Sequence, residues 1–420
     1  MQLVVTIHET TPEIAIDVIR SIDADYDAIE VRVDAFGERP VDWRAIRAAT
    51  SKPIIATNRG AGHADIDAAL AAGIDFVDVE WPTEVDDSRV ILSHHDYDGM
   101  PDVEELLRGM RASHVKIAAT PQNFADNTRL LHALGNPRTT IIGMGARGLY
   151  SRILAPFFGS EFQFVSIDEK RSAAPGQLAL QQALAIYGPE RKHLRADKIF
   201  AIVGNPAAHS GSPAIHNAIF RQHGIAAAYS IFETDDFLVI AAPFANGERF
   251  APDGLSVTAP FKEDALAFAE SAGAEIRADA GEAGAVNTLV RIGGRIIADN
   301  TDVDGFQQLI GKTNARTAAV IGAGGTGRAA LVALRRAGIE TIIFNRTEGK
   351  LNALPLDQLS AYRGDLVINT LPRNVAVTLP NAVTIIEAAY GGESQATFNG
   401  LDLLRAQAVR QSELFLEACK

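Results

Sequence analysis

Eight times before residue 188 a short apolar run is followed by a stretch with helical spacing, and this alternation restricts the fold more than any other feature. The runs are LVVTI from Leu3, AIEVRV from Ala28, PIIAT from Pro53, FVDVE from Phe76, VILSHH from Val90, VKIAA from Val115, TTIIGM from Thr139 and FQFVS from Phe162. Segments such as DIDAALAAG and DVEELLRGM supply the helical spacing between them. Eight consecutive strand–helix units predict an α/β chain that begins with a closed parallel (β/α)8 TIM barrel. An open doubly wound sheet is the alternative. About 190 residues is short for such a barrel, so its helices and loops must be brief.

The barrel is expected over residues 1–187. The polar segment GPERKHLRAD, 188–197, reads as a linker. A new βαβ pattern opens with KIFAIVGNP and defines a second lobe over 198–310. A further strand–glycine–helix signal, TAAVIGAGGTGRAALVALRRAG from Thr317, predicts a Rossmann nucleotide-binding lobe over 311–398. With 420 residues, several cores are expected. No apolar run approaches the roughly 20 residues that span a bilayer. The start, MQLVVTIHETTPE, reads as a strand and not as a signal peptide. One cysteine, Cys419, excludes an internal disulfide and argues against a Cys-based metal site, so no metal is expected. A formal charge of -13 disfavours nucleic acid as a partner, and a cytoplasmic setting fits.

Barrels of this kind carry their chemistry at the C-terminal ends of the strands. Glu30 and Arg32 stand two apart on the second strand and so share a face. Arg59 follows the third strand, Glu80 ends the fourth, and His94 and His95 end the fifth. Arg152 comes after the seventh strand and Gln177 after the eighth. Taken singly, an arginine at a strand end is more often a surface ion pair, and a histidine more often solvated. Lys116 is more informative, because a lysine inside the apolar strand VKIAA is costly to bury. With Arg32 and Arg59 nearby its ammonium form is disfavoured, which is the environment of a Schiff-base lysine.

IEVRVD, SHHDYDGMP, HVKIAATPQN, GLYSR and APGQ, in that order, resemble the motifs of type I 3-dehydroquinate dehydratases. The resemblance implies that Lys116 forms an imine with the substrate ketone and that His95 moves the proton. It further implies that Arg152 binds the carboxylate and that Glu30, Arg32, Arg59 and Gln177 hold ring hydroxyls. Two positions depart from the family pattern. His63 stands where many members have a histidine-orienting glutamate, and Ala173, beside Ser172, stands where a hydroxyl residue is usual. Arg171 or Glu169 from the same loop are further candidates.

In the second half, GNPAAHSGSPAIHN sets Ser210 and Ser212 before a helix, where they can cap it or hold a small carboxylate. SVTAPFKE brings Lys262, GAVNT brings Asn287 and ADNTDVDGF brings Asp302; taken alone, a lysine and an aspartate from separate loops are more often a surface salt bridge than a catalytic pair. GAGGTGR lies between a strand and a helix, the context of a pyrophosphate cradle made by Gly322, Ala323, Gly324, Gly325, Thr326 and Gly327. The next strand ends in Asn345, Arg346 and Thr347. An arginine there, in place of an acid, suits the 2′-phosphate of NADP; a surface arginine is the alternative, but placement at the strand end favours NADP.

Together with VINTLP these motifs resemble shikimate dehydrogenases from about Ile199 onward. By that resemblance 198–310 is the substrate-binding lobe, completed by a C-terminal helix over 399–420. Ser210 and Ser212 bind the shikimate carboxylate, and Thr258, Asn287 and Gln407 contact hydroxyls. Lys262 and Asp302 form the acid–base pair, and Tyr390 lies near substrate and nicotinamide. Glu387 stands where the family commonly has Asp. The implied function is two successive steps: 3-dehydroquinate is dehydrated to 3-dehydroshikimate, which NADPH reduces to shikimate. A quinate dehydrogenase and a catalytically inactive sensor are the rival readings. The serine pair argues against the first, and retention of Lys116, His95, Lys262 and Asp302 against the second. Oligomeric state is not legible.

Overall fold

Eight strands occupy the positions the sequence predicts: β1 Gln2–Ile7, β2 Ala28–Arg32, β3 Ile54–Thr57, β4 Phe76–Glu80, β5 Val90–Asp96, β6 His114–Ala119, β7 Thr139–Gly143 and β8 Phe162–Ser166. The structure is a computed structural model and describes residues 1–59, 66–83, 87–135, 138–346, 350–372, 375–380, 384–389 and 396–420. The strands form one parallel sheet in the order β7-β6-β5-β4-β3-β2-β1-β8. Between its two ends the Glu161 amide donates to the Thr139 carbonyl at 3.0 Å and the Phe162 amide to Thr140 Oγ1 at 3.2 Å. The result is a nearly closed barrel rather than an open doubly wound sheet.

Period-two alternation places the chemistry inside it. Val4, Ala28, Ile55, Ile91, Phe162 and Phe164 belong to one buried apolar cluster against which Phe76 packs. Two residues further along the same strands stand Thr6, Glu30, Thr57, Asp78 and Ser93, all buried. An apolar floor thus underlies a polar layer. The floor is sealed partly by aromatic contacts, with Phe76 edge-on to His114 at 5.1 Å and to Phe162 at 6.0 Å.

The segment expected to be an exposed linker is tied to the barrel. Arg191 is buried and pairs with Asp25 at 2.6 Å and Asp27 at 2.9 Å, and its carbonyl accepts from the Met1 amino group at 3.2 Å. Charged composition reads as solvated unless partners are known; here two aspartates neutralise the guanidinium.

By its contacts the chain divides into two compact units, Met1–Ile199 with Ala208–Thr234, and Phe200–Ala207 with Asp235–Lys420. The first therefore includes the helix Ser212–Gln222 and strand β9, taken here as Ala227–Glu233. Phe232 on β9 is edge-on to Phe124 at 5.5 Å and to Tyr150 at 5.8 Å. Ser230 Oγ donates to the Tyr150 carbonyl at 3.1 Å, and Arg221 donates to the carbonyls of Ala185 and Ile186.

The second unit holds two sheets. In one, Gly254–Val257 runs parallel to Lys198–Gly204 and antiparallel to Thr288–Ile292, which pairs in turn with Arg295–Asp299. The other is five-stranded and parallel where paired, with Thr317–Ile321 at its centre between Glu340–Asn345 and Leu366–Asn369. The glycine motif joins Thr317–Ile321 to the helix Gly325–Arg336, the strand–turn–helix arrangement of a nucleotide-binding lobe. The C-terminal helix Gly400–Ala418 lies against the helix Asp302–Ile310 and the strand Thr288–Ile292. Among the described residues no helix is long and apolar enough to cross a membrane.

Candidate active sites

Lys116 is 2% exposed at the centre of the barrel. Its Nζ pairs with Asp78, lies 3.9 Å from Glu30 Oε1 and sits 4.3 Å from the centroid of the Phe164 ring. Burial lowers its pKa; Asp78 and Glu30 oppose that effect, and Arg59 adds to it. Arg32 turns to Asp34, with bonds of 3.0 and 2.7 Å, which neutralises it, and Arg59 is the arginine with a marked effect on the lysine. Arg59 reaches Asp78 at 2.7 Å, Glu80 at 3.2 Å and Ser93 Oγ at 2.9 Å. Asp78, although buried, is held far below the usual carboxylate range by Arg59 and Lys116.

Around this centre the polar layer is cross-linked. Glu30 accepts from Thr6 Oγ1 at 2.8 Å and Thr57 Oγ1 at 2.9 Å, and Gln177 Nε2 donates to Thr6 Oγ1 at 3.1 Å. His95 bonds Glu80 through Nδ1 at 2.9 Å and through its backbone amide at 2.8 Å. Burial, with Arg59 and Lys116 nearby, pushes the His95 pKa down to about 4 despite the Glu80 carboxylate. Arg152, on the helix Leu149–Leu154 that follows β7, is 2% exposed, and its Nε has no hydrogen-bond partner among the described residues. Among the described residues it makes one hydrogen bond, a long one of 3.4 Å from Nη1 to the Pro175 carbonyl, and burial pushes its pKa down to about 10. A buried guanidinium with so little compensation is a place prepared for an anion.

Asp78 and Ser93 were not singled out from sequence. The signal was present, because Asp78 precedes Glu80 by two and Ser93 precedes His95 by two, so each pair shares the inward face.

In the first unit, Ser212 is buried at the start of its helix; its amide lies 3.2 Å and its hydroxyl 3.1 Å from Ser210 Oγ. In the second unit, Lys262 Nζ pairs with Asp302 and donates to Thr326 Oγ1 at 2.9 Å. Asn287 Nδ2 donates to Asp302 Oδ1 at 2.9 Å and to Thr301 Oγ1 at 3.1 Å, while Thr301 Oγ1 donates to Gln407 Oε1 at 2.8 Å. Half-buried Thr258 follows the strand Gly254–Val257. Sequence thus missed Thr301, the residue that links Asn287 to Gln407.

The glycine turn fits a dinucleotide. Gly322 has φ +104, and a Cβ there would stand 2.5 Å from Thr370 Oγ1. A Cβ at Gly327 would stand 2.2 Å from the Gly322 carbonyl oxygen, so helix and strand approach as closely as the motif requires. At Gly324, the residue before the helix, a Cβ would meet nothing within 4 Å, which leaves the helix N-terminus open to a phosphate. Ala323 is buried behind it. Asn345 ends the next strand and Arg346 beside it is exposed. Tyr390, Thr347 and His63 lie outside the described residues.

A nearly closed parallel barrel around a buried lysine, followed by a nucleotide-type sheet beside a lysine–aspartate pair, defines a lyase and an oxidoreductase on one chain. Residues 3–192 match the family model for type I 3-dehydroquinase, and 202–289 that for the shikimate dehydrogenase substrate binding domain. A chloroplastic bifunctional 3-dehydroquinate dehydratase/shikimate dehydrogenase of Arabidopsis thaliana is 29% identical over 83% of this chain and 68% of its own length. A pentafunctional AROM polypeptide of Komagataella phaffii is 31% identical over 78% of this chain, which spans only 24% of that protein. The solved dehydroquinate dehydratase and shikimate dehydrogenase of S. pombe AroM aligns over 98% of this chain and 95% of its own, at 24% identity and a TM-score of 0.39. The chain is thus similar to the type I 3-dehydroquinases in its first part and to the shikimate dehydrogenases in its second.

Proposed function

We propose that Lys116 and His95 carry the dehydration, that Lys262 and Asp302 serve the reduction, and that NADPH is the reductant. The observation that carries the first half is the burial of Lys116, which favours its neutral amine. That amine adds to the ketone carbon of 3-dehydroquinate and water leaves, giving an imine. His95 removes a proton from the adjacent carbon and the electron pair moves onto the imine nitrogen. Its return expels the neighbouring hydroxyl, which takes a proton from His95 and departs as water. Hydrolysis frees 3-dehydroshikimate and restores Lys116. The neglected cation of Arg152 supports its role as carboxylate anchor, and Glu30, Arg32, Arg59 and Gln177 offer partners for the ring hydroxyls.

In the second half NADPH, when bound, supplies a hydride. Gly322, Ala323, Gly324, Gly325, Thr326 and Gly327 would hold its pyrophosphate. Asn345, Arg346 and Thr347 would hold the adenosine end, with Arg346 facing the 2′-phosphate. Arg328 is the less suitable reader, since it already bonds Ala283 O at 2.7 Å, Gly284 O at 2.9 Å and Glu263 at 2.8 Å. Lys262 delivers the proton to the new alkoxide, with Asp302 and Thr326 fixing its Nζ. Ser210 and Ser212 bind the carboxylate, and Thr258, Asn287, Gln407 and Tyr390 the remaining polar groups. Small-molecule acids are the only partners this chemistry needs.

The test supplies dehydroquinate and NADPH to the purified chain and identifies the products. Lys262→Ala should accumulate 3-dehydroshikimate, whereas Lys116→Ala should consume only supplied 3-dehydroshikimate. Either loss should reach about 10²–10⁴-fold. Borohydride should fix the product's mass on Lys116; an adduct elsewhere sinks the assignment.

A further inference from the structure

We infer that Glu80 is the positioning residue for His95, fixing both the tautomer and the direction of its ring. This rests on the proposed role of His95 in dehydration. β4 and β5 are parallel neighbours with Glu80 opposite Ser93, so the side chain at the end of β4 comes alongside the residue two beyond Ser93. One carboxylate oxygen accepts the His95 backbone N–H at 2.8 Å and the other meets ring Nδ1 at 2.9 Å. A single carboxylate therefore holds the strand end and the ring together, which leaves little torsional freedom about the side chain.

The same carboxylate is itself anchored. Arg59 Nη1 lies 3.2 Å and Ser93 Oγ 3.3 Å from Glu80 Oε2. On the ring's face, Tyr97 stacks at 5.9 Å with an interplanar angle of 22°. Burial disfavours the ionised carboxylate, but His95 and Arg59 outweigh it, so Glu80 stays below the usual carboxylate range. An ionised Glu80 has no proton to donate, so Nδ1 must carry one. Nε2 is then the unprotonated nitrogen, available to accept a proton from carbon. Among the described residues the charged groups facing the ring are Glu80 and Asp78 from β4, Arg59 from beyond β3 and Lys116 from β6. Among the described residues, only Glu80 bonds the ring.

The test uses the full chain labelled with ¹⁵N-histidine, and the His95 signals are identified by their loss in His95→Gln. Long-range ¹H–¹⁵N spectra of the unsubstituted protein should show the Nδ1–H tautomer at neutral pH. In Glu80→Gln, which keeps size but introduces a donor, that signature should collapse toward a mixture. Dehydration kcat should fall about 10- to 10²-fold with KM changed far less, while borohydride still labels Lys116. Glu80→Asp, which keeps the charge, should recover the tautomer and part of kcat. Unchanged kcat in Glu80→Gln, or a loss with unaltered His95 signals, overturns the inference; the latter would place the effect in Arg59. If the unsubstituted protein gives no adduct on Lys116, the dehydratase assignment fails instead, and the ring signals still decide whether Glu80 sets the tautomer.

Discussion

Arg152→Met separates what the guanidinium does for binding from what it does to the fold. The side chain is 2% exposed, and burial pushes its pKa well below the ordinary guanidinium value, down to about 10. At neutral pH the arginine is charged in both folded and unfolded chains, so the full cost of burying the charge falls on the folded state. At ~1.4 kcal/mol per pH unit the difference amounts to about 3 kcal/mol of destabilisation. Its bond to the Pro175 carbonyl offsets little of this, being 3.4 Å long. Methionine matches the length of the stem and removes the charge, so the first unit should resist urea as well as before or better. Binding should move the other way. Losing one member of a buried charge pair costs about 3–5 kcal/mol, which at ~1.4 kcal/mol per tenfold predicts a fall of about 10²- to 10⁴-fold in kcat/KM for dehydration. Arg152→Lys, which keeps charge without the bidentate fork, should fall between. Urea titration followed by dehydration kinetics measures both. A variant that is several kcal/mol less stable yet keeps its KM would show that Arg152 is structural, and the carboxylate anchor would have to be sought elsewhere.

His95 should titrate near pH 4 by ¹⁵N NMR rather than near 6.5. Its folded pKa lies below the unfolded one, so its contribution weakens the fold as pH falls from 6.5 toward 4; a ring titrating at 6.5 would refute the burial argument. Replacing exposed Arg346 with Ala should raise the KM for NADPH far more than for NADH, and an unchanged ratio would move the 2′-phosphate elsewhere. Phe232→Ala should lower the unfolding free energy of the first unit by about 3–5 kcal/mol and shift its urea midpoint down, because Phe232 packs on Phe124 and Tyr150. An unaltered midpoint would mean that β9 adds nothing to the barrel.

The barrel strands were legible because both of their faces are buried, which leaves near-continuous apolar runs interrupted only where a polar side chain is needed. Lys116 stood out for that reason. Arg32 was harder to place: spacing fixes which face a residue occupies, but not which partner a long side chain chooses, and Asp34 two positions on captures it. Arg191 shows the same limit from the other side. A charged segment between two domain-like patterns looks like a solvated connection until the folded chain brings Asp25 and Asp27 to it.

The second site exposes a different limit. Lys262 and Asp302 come from separate loops, and nothing in their spacing distinguishes an ion pair on the surface from a proton-transfer pair. What distinguishes them is their surroundings: Thr326 from the glycine turn bonds the lysine, and Asn287 bonds the aspartate. Those contacts put the pair beside the glycine turn, which supports the proposed proton-transfer role. A Cβ at Gly325 would come within 3.1 Å of the Lys262 Cβ, so the turn and the lysine are closely packed. Glycine at 325 therefore answers to two demands at once, the approach of a phosphate to the helix N-terminus and the seat of the lysine. The sequence displays the first through its motif; the second arises only when Lys262 folds against the turn.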